Sequence, residues 1–503
     1  MPSMVMRLAA LALGATLVAC TAESRPPLGP RAGVAARTAS GPRGRPPAVF
    51  VTDVSRDTTA QNETPVAVNP LNPDNLLTAA NDWNYNDGIA YNVSFDGGQT
   101  WSPTLPDGFL PGLTRFTNDP AVPGTGAYDA AGDPAVAFGP DGTAYYAAQA
   151  FNFTPPFEIA LYVGRSSDGG RSWPDGVHEK PVLVSRWTGE GKSKGSTGQF
   201  PDHEAIAVDQ SPASPFFGSV YVTWVQFNGL AGTHSPVQVA FSRDGGRSFA
   251  TPVSVTQGPI RNNQDARLAI APDGTLYLTF DNGIQGGKGV ANYVAVSRDG
   301  GVTWSPPVRF TLYNNPVCLF PPYCFNLSGG AFRGPGSYPA PAFDAVRNRL
   351  VVVYADIDAD GRAKIFFTWA PATDVTQWSR PVVVAPGTGD RFGAEVSVAA
   401  DGRLDVMFDD RSYSGNALVD VTYAWSTDGG ASWNATRVTP SGFDPSQYGV
   451  PCGSCAGGIR PFLGDYNGIA SAGDHAVLTW TGVAPKTGAA NDNLEIFFGR
   501  VTP

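Results

Sequence analysis

The chain has 503 residues with 42% hydrophobic, 11% aromatic and only 16% charged side chains, and it contains 59 Gly and 45 Pro. Helix-breaking residues at that density exclude helical bundles and coiled coils, while 11 Trp, 17 Tyr and 28 Phe exclude a disordered chain. With 34 basic against 44 acidic residues, the formal net charge of −10 argues against nucleic-acid binding.

Residues 1–20 read as an export signal: Arg7 supplies the positive start, and the apolar run Leu8 to Val18 is too short to span a bilayer. The run ends in Leu17-Val18-Ala19-Cys20, which resembles the lipobox of bacterial lipoproteins. That resemblance implies lipidation at Cys20 and a membrane partner through the anchor, hence a location at the cell envelope or surface; an ordinary cleaved signal peptide is the alternative. Residues 21–46, rich in Pro, Ala, Gly and Arg without apolar period, read as a flexible tether, and residues 47–503 as the folded domain.

Within that domain one motif recurs. Ser94-Phe95-Asp96-Gly97-Gly98-Gln99-Thr100-Trp101 returns with its Ser, Asp, Gly-Gly and aromatic at Ser166–Trp173, Ser242–Phe249, Ser297–Trp304 and Ser426–Trp433, with a degenerate copy ending in Asp374-Val375-Thr376-Gln377-Trp378. The pattern is that of a tight hairpin, in which Asp and Ser/Thr bond the turn backbone, Gly supplies positive φ and the aromatic packs between sheets. A second repeat sets a polar residue before a short apolar run at Glu63, Asp133, Glu204, Asp265, Tyr338, Glu395 and Asp465, in phase with the first. Each unit reads as four strands; in the fourth they are Leu268 to Ile270, Thr275 to Phe280, Asn292 to Ser297 and Pro307 to Thr311. The seventh has three, Gly468 to Ser471, Ala476 to Trp480 and Leu494 to Val501, and its missing outer strand matches Arg45 to Val51, which resembles Ser305 to Thr311. These readings predict an all-β fold: a single β-propeller of seven four-stranded blades, with six as the alternative, closed by an N-terminal strand that removes the exposed edge.

The five hairpins resemble the Asp-box, or BNR repeat, of the sialidase-like β-propellers. In such a propeller the Asp-boxes share a face with the short turns between first and second strands, while blade starts and the ends of second strands share the other. On this second face lie the seven polar blade starts, joined by Trp83, Asp281, Asp356, Asp409, Asp410, Arg411 and the aromatics Tyr85, Phe151, Phe153, Phe320, Tyr323, Phe325, Phe392 and Tyr413. Carboxylates and arginines rimmed by aromatics suit a sugar. The insertions Pro103 to Ala131 and Leu312 to Gly336 lead to the same face.

The resemblance implies a glycoside hydrolase acting on a glycan, with Asp133, Glu204, Asp265, Glu395, Asp465 and Tyr466 as catalytic candidates, Asp133 as acid and Tyr466 as nucleophile. Glu63, Trp83, Arg267, Tyr338, Asp410 and Arg411 are the substrate-binding candidates, and Arg267, Arg411 and Arg391 stand for the arginine triad of sialidases. The chain departs from sialidases in its blade count and in lacking an Arg-Ile-Pro element in its first blade. A non-catalytic glycan- or protein-binding propeller is the reading from a different class. His178, His203, His234 and His475 show no zinc-protease spacing, and His203 reads as a hydrogen-bonding residue of the mouth. No phosphate or dinucleotide loop occurs, so no cofactor and no metal is expected, and the propeller is expected to be monomeric. The close pairs Cys318/Cys324 and Cys452/Cys455 read as loop-pinning disulfides in an exported chain; a four-cysteine zinc site and a redox pair are the alternatives.

Overall fold

In a computed structural model the described residues are 46–503 apart from 56–58, 84–87, 104–111, 116–122, 153–156, 174–179, 189–198, 229–233, 284–287, 315–337, 452–458 and 484–493. All five cysteines, the leader, the tether up to residue 45, and Tyr85, Phe153, Phe320, Tyr323 and Phe325 lie outside them. Among the described residues no helix is long and apolar enough to cross a membrane.

Among the described residues seven antiparallel sheets form the blades, each running from an inner first strand to an outer fourth, and a separate two-stranded sheet pairs Val450–Pro451 with Ile459–Arg460. The inner strands are Val66–Asn69, Ala130–Phe138, Gln199–Val208, Asn263–Ile270, Ala340–Asp344, Arg391–Val398 and Gly468–Ala472 for blades 1 to 7. Helix among the described residues is confined to two 3-10 turns, Ser412–Ser414 and Pro445–Gln447. The ring is closed as expected: Ala48–Asp53 is the outer strand of blade 7, paired with Leu494–Thr502 from Ala48↔Thr502 to Asp53↔Phe497. Seven blades, not six, are present. The strands outrun their expected bounds at the mouth end; blade 4 uses Asn263–Ile270, Leu276–Asn282, Lys288–Ser297 and Val308–Asn314.

Second strands are buried on both faces between neighbouring blades, which is why Leu350 to Ala355 in Arg349–Ile357 reads as an unbroken apolar run. The aromatic of each Asp-box supplies the wedge to the preceding blade. Trp101 of blade 1 lies edge-on to Phe498 of blade 7 (5.2 Å), Trp173 of blade 2 tilts on Tyr91 of blade 1 (6.0 Å), and Trp433 of blade 6 meets Phe367 of blade 5 (5.4 Å).

The box explains its own sequence. Asp96 Oδ1 accepts from Thr100 N (2.9 Å) and Ser94 Oγ (2.8 Å), Asp96 Oδ2 accepts from Thr100 Oγ1 (2.6 Å), and Ser94 Oγ accepts from Gly98 N (2.9 Å). Gly98 has φ +86°, and a Cβ there would lie 2.2 Å from Phe498 Cε1, so both backbone and packing demand glycine. The degenerate copy keeps only the Thr376–Asp374 bonds and Trp378. Boxes also bond the neighbouring blade: Asn75 Nδ2 donates to Gly169 O (3.0 Å) and Arg349 to Gly429 O (2.8 Å).

Candidate functional site: the channel mouth

Blade starts converge on the central channel, and four inner strands are bulged there, between Gly132/Ala135, Asp202/Ala205, Gln264/Arg267 and Phe392/Glu395. A bulge re-aims side chains. Here it does so through a left-handed residue: Asp133 (φ 53°), His203 (56°) and Asp265 (53°), with Glu63 (65°) at the start of blade 1. Blades 6 and 7 use Gly393 (φ 61°) and Gly464 (φ 96°). A non-glycine residue held there costs about 1–3 kcal/mol, a strain that collects at functional sites. The equivalence corrects the sequence phase. In blade 3 the bulge residue is His203, with Glu204 one position on, and in blade 6 Glu395 stands two residues beyond Gly393.

Arg267 and Glu395 occupy the first paired position after the bulge, opposite Thr279 and Met407 in blades 4 and 6. Ala340 and Pro341 of blade 5 between them are small enough to leave a cavity of about 170 Å³, so the two side chains meet across it. Arg267 donates Nε to Asp265 Oδ1 (2.6 Å) and a terminal nitrogen to Glu395 Oε2 (2.5 Å). His203 Nε2 lies 2.9 Å from Asp265 Oδ1, and its ring packs against Tyr338 (5.1 Å) and Tyr466 (4.9 Å).

On the other side, around blades 7, 1, 2 and 3, carboxyls gather with fewer cations. Glu63 accepts from Asn81 Nδ2 and, at 3.1 Å, from Asp465 N; Asp133 Oδ2 accepts from His203 N at 3.3 Å. Asp202 Oδ2 accepts from Gln264 Nε2 (2.6 Å). Glu204 is 2% exposed, and neither of its carboxyl oxygens has a hydrogen-bond partner on another described residue. Tyr466 donates its hydroxyl to Pro134 O (2.8 Å), tying blade 7 to blade 2.

These surroundings push the acidities apart. Burial raises Glu204 well above the usual carboxylate range, and Asp133, Asp202 and Glu63 add to the effect. Asp202 is pushed up to about 8 by burial and by Asp133 and Asp465. Glu395 is raised by burial against the pull of Arg267. For Asp265 burial works upward, but Arg267 and His203 outweigh it and hold the carboxyl low. Burial alone would lower His203, yet Asp265 raises it above the ordinary histidine value. Tyr466 is kept protonated by burial first, then by Glu63 and Asp133.

The structure thus brings together Glu63, Asp133, Glu204, Asp265, Arg267, Tyr338, Glu395, Asp465 and Tyr466, and it separates three other candidates from them. Asp410 is fully buried and engaged by Arg391 Nε (3.0 Å), Ser412 N (2.8 Å) and Thr422 Oγ1 (3.0 Å). Arg411 is also fully buried; it bonds Asn416 O and faces Asp390 and Asp444 in the blade 6 loops. Both residues belong to the scaffold because the second strand of blade 6 runs on into a closed loop. The expected convergence of Arg267, Arg391 and Arg411 into an anion-binding triad is therefore corrected: only Arg267 reaches the central cluster. Trp83 donates Nε1 to Asn62 Oδ1 (3.0 Å) and packs with Ala60, Leu463 and Leu494. Phe392 is fully buried, whereas Tyr413 is 45% exposed with Arg437 over its ring.

Sequence reasoning missed the threonines of the second strands. Thr279 and Thr479 donate to the main chain of the next blade's start, at Pro339 O (2.8 Å) and Thr64 O (2.6 Å), and Thr223 does the same to Ala266 O. Their recurrence in phase was the available signal.

The BNR/Asp-box repeat family matches residues 93–103, the box of blade 1. No curated protein matches the chain by sequence. Among solved structures, a Dyadobacter fermentans protein of unknown function is similar over 90% of this chain and 99% of its own, at 12% identity and a TM-score of 0.47. The intramolecular trans-sialidase of Ruminococcus gnavus is similar over 75% and 97% (13%, TM-score 0.46), and an α-L-arabinofuranosidase of Fusarium graminearum over 73% and 92% (14%, TM-score 0.43). With five intact boxes and a ring closed by its N-terminal strand, the chain is a seven-bladed Asp-box β-propeller.

Proposed function

We propose that the channel mouth is a glycoside-hydrolase site, with Glu204 as the general acid. The observation that carries this reading is the Glu204 carboxyl itself, buried, without a hydrogen-bond partner on another described residue, and crowded by Asp133, Asp202 and Glu63. A glycosidic oxygen must be protonated as it leaves, so the donor has to hold its proton at neutral pH while a second carboxylate acts on the anomeric centre. Asp133, partly exposed beside Glu204, is placed for the second role, and substrate approaches past Asp133, Arg267 and Glu395. Tyr466, with its hydroxyl committed to Pro134 O, positions His203 and is not the nucleophile. The test is release of sugar from a panel of aryl glycosides and polysaccharides, with activity abolished in Glu204→Gln while the melting temperature holds. Activity that survives this substitution removes Glu204 from the role.

A non-catalytic binding propeller is favoured by one contrary observation. Glu63, Asp133, Asp265 and Glu395 are all bonded across blades, Asp265 through His203, as ring-closing struts would be. Saturable glycan binding that never leads to turnover would establish that reading. We further infer that Cys20 is acylated and tethers the propeller to the cell envelope; labelling with a palmitate analogue should disappear in Cys20→Ser.

A further inference from the structure

We infer that the mouth takes neutral or amino-bearing sugars and rejects carboxylated ones. This rests on the reading of the mouth as a glycan site and names its substrate class. Two features of the cluster carry it. The first is charge already spent. Arg267 is the only guanidinium among the described residues that bonds the central carboxylates, and it is held by Asp265 on one side and Glu395 on the other. Bidentate recognition of a sugar carboxylate needs a guanidinium with an open edge, and a third carboxylate here would be added to two. The two other arginines that the resemblance offered for a triad answer to blade 6: Arg391 to Asp410, and Arg411 to Asn416 O beside Asp390.

The second feature is acceptor capacity left over. It lies at Glu204, whose buried oxygens bond no other described residue and which Asp133, Asp202 and Glu63 crowd. A hydroxyl or an ammonium satisfies such oxygens, whereas an anion adds its charge to a cluster in which carboxyls already crowd one another. An ammonium placed there would draw the Glu204 proton into solution and leave a charge-assisted pair, so amino sugars should bind at least as well as neutral ones.

The experiment uses the full chain, with thermal-shift and calorimetric titration against neutral, amino-bearing and carboxylated aryl glycosides, the last including sialosides and uronides. Binding or turnover confined to neutral or amino sugars is expected, with carboxylated counterparts at least tenfold weaker. A sialoside or uronide that binds as well as its neutral counterpart overturns the inference and leaves the hydrolase reading standing. Failure of all three classes to bind overturns both. Glu395→Gln leaves Arg267 with one carboxylate partner, and its preference should shift about tenfold toward carboxylated sugars. If that protein melts like the parent and the preference does not move, the neutralised arginine is not the cause and the inference falls. Should Glu395→Gln not fold, Asp465→Asn serves the same purpose by lowering the negative charge of the opposite side.

Discussion

The two ends of the central channel use the same residue type in opposite ways. On the Asp-box face, slight burial works upward on Asp96, Asp168, Asp299 and Asp428, but paired Ser/Thr donors outweigh it and pull each carboxyl below its ordinary range; Asp244 reaches about 2. At the mouth, Asp202 is half-buried and Glu204 buried, both with few donors, and their carboxyls are pushed up. A carboxylate saturated by local donors is a structural part, whereas one that is buried and starved of donors is poised to carry a proton. The motif that identifies the fold is therefore the wrong end of the molecule for chemistry.

The largest effect that tests this contrast is on activity. Glu204→Gln should lower kcat/KM by about 10²–10⁴-fold, the usual worth of a general acid. Its melting temperature should stay level or rise, because an unpartnered carboxyl contributes no bond to lose. A fall in stability with activity retained would invert the comparison. Next comes a purely structural effect at the other end. Gly98→Ala drives a Cβ to 2.2 Å from Phe498 Cε1 at φ +86°, and it should cost about 3 kcal/mol in urea unfolding. Ligand binding by the folded fraction should be unchanged, since the box lies on the far face.

That asymmetry also governs how much could be read from sequence. Ser94, Asp96, Gly98 and Trp101 act within one hairpin, so their spacing is local and legible, and the ring closure followed from a missing strand in the seventh unit. The mouth depends on which residue each bulge rotates inward, and that is set by pairing with a second strand, as of Asp202 with Val225 and Gly132 with Gln149. Glu204 was legible as polar and near the channel, but not as the residue that follows the left-handed one within the bulge. Arg267 and Glu395 look unrelated in the chain, 128 positions apart, and meet only because blade 5 presents Ala340 between them. Arg411 misled because its position at a strand end is right while its side chain turns into the loop of its own blade.

pH sharpens the comparison further, since the raised carboxyls of the mouth and the lowered aspartates of the boxes should fail on opposite sides. Asp202 and Asp409, each pushed up to about 8, have unfolded values near about 4, so the folded state holds protons that the unfolded state releases. Their contribution is complete below about pH 4 and is lost as pH rises from there to about 8. His203, raised by Asp265, adds to the same loss as pH passes its folded value. The box aspartates have the reverse sign: their contribution is present above their unfolded values and is lost as acid protonates them, for Asp244 near about pH 2. Melting temperature at constant ionic strength should fall on both sides of mildly acidic pH. Asp202→Asn should flatten the alkaline side alone, and Asp244→Asn the acid side alone. An alkaline limb that is unaltered in Asp202→Asn would mean that this carboxyl is ionised in the folded ring.

The smallest effect separates strain from chemistry within the mouth itself. Asp133→Gly removes the cost of holding a non-glycine residue at φ 53°, about 1–2 kcal/mol, because glycine populates that region freely. It also deletes the acceptor for His203 N, a long 3.3 Å bond worth about 1 kcal/mol, while Asp133 N keeps its own bond to Asn81 Oδ1 at 2.8 Å. The two changes oppose each other, so unfolding free energy should move by less than about 1 kcal/mol. Turnover, by contrast, should be lost if Asp133 is the second carboxylate. Asn348→Gly is the matched control, a left-handed residue (φ 49°) at the turn between the first two strands of blade 5, on the box face; there the same relief of strain should leave activity intact. If both glycine substitutions stabilise and neither touches activity, the left-handed residues at the blade starts only turn the chain. If only Asp133→Gly is inactive, blades 1, 2 and 4 keep a strained backbone in order to aim carboxylates into the channel.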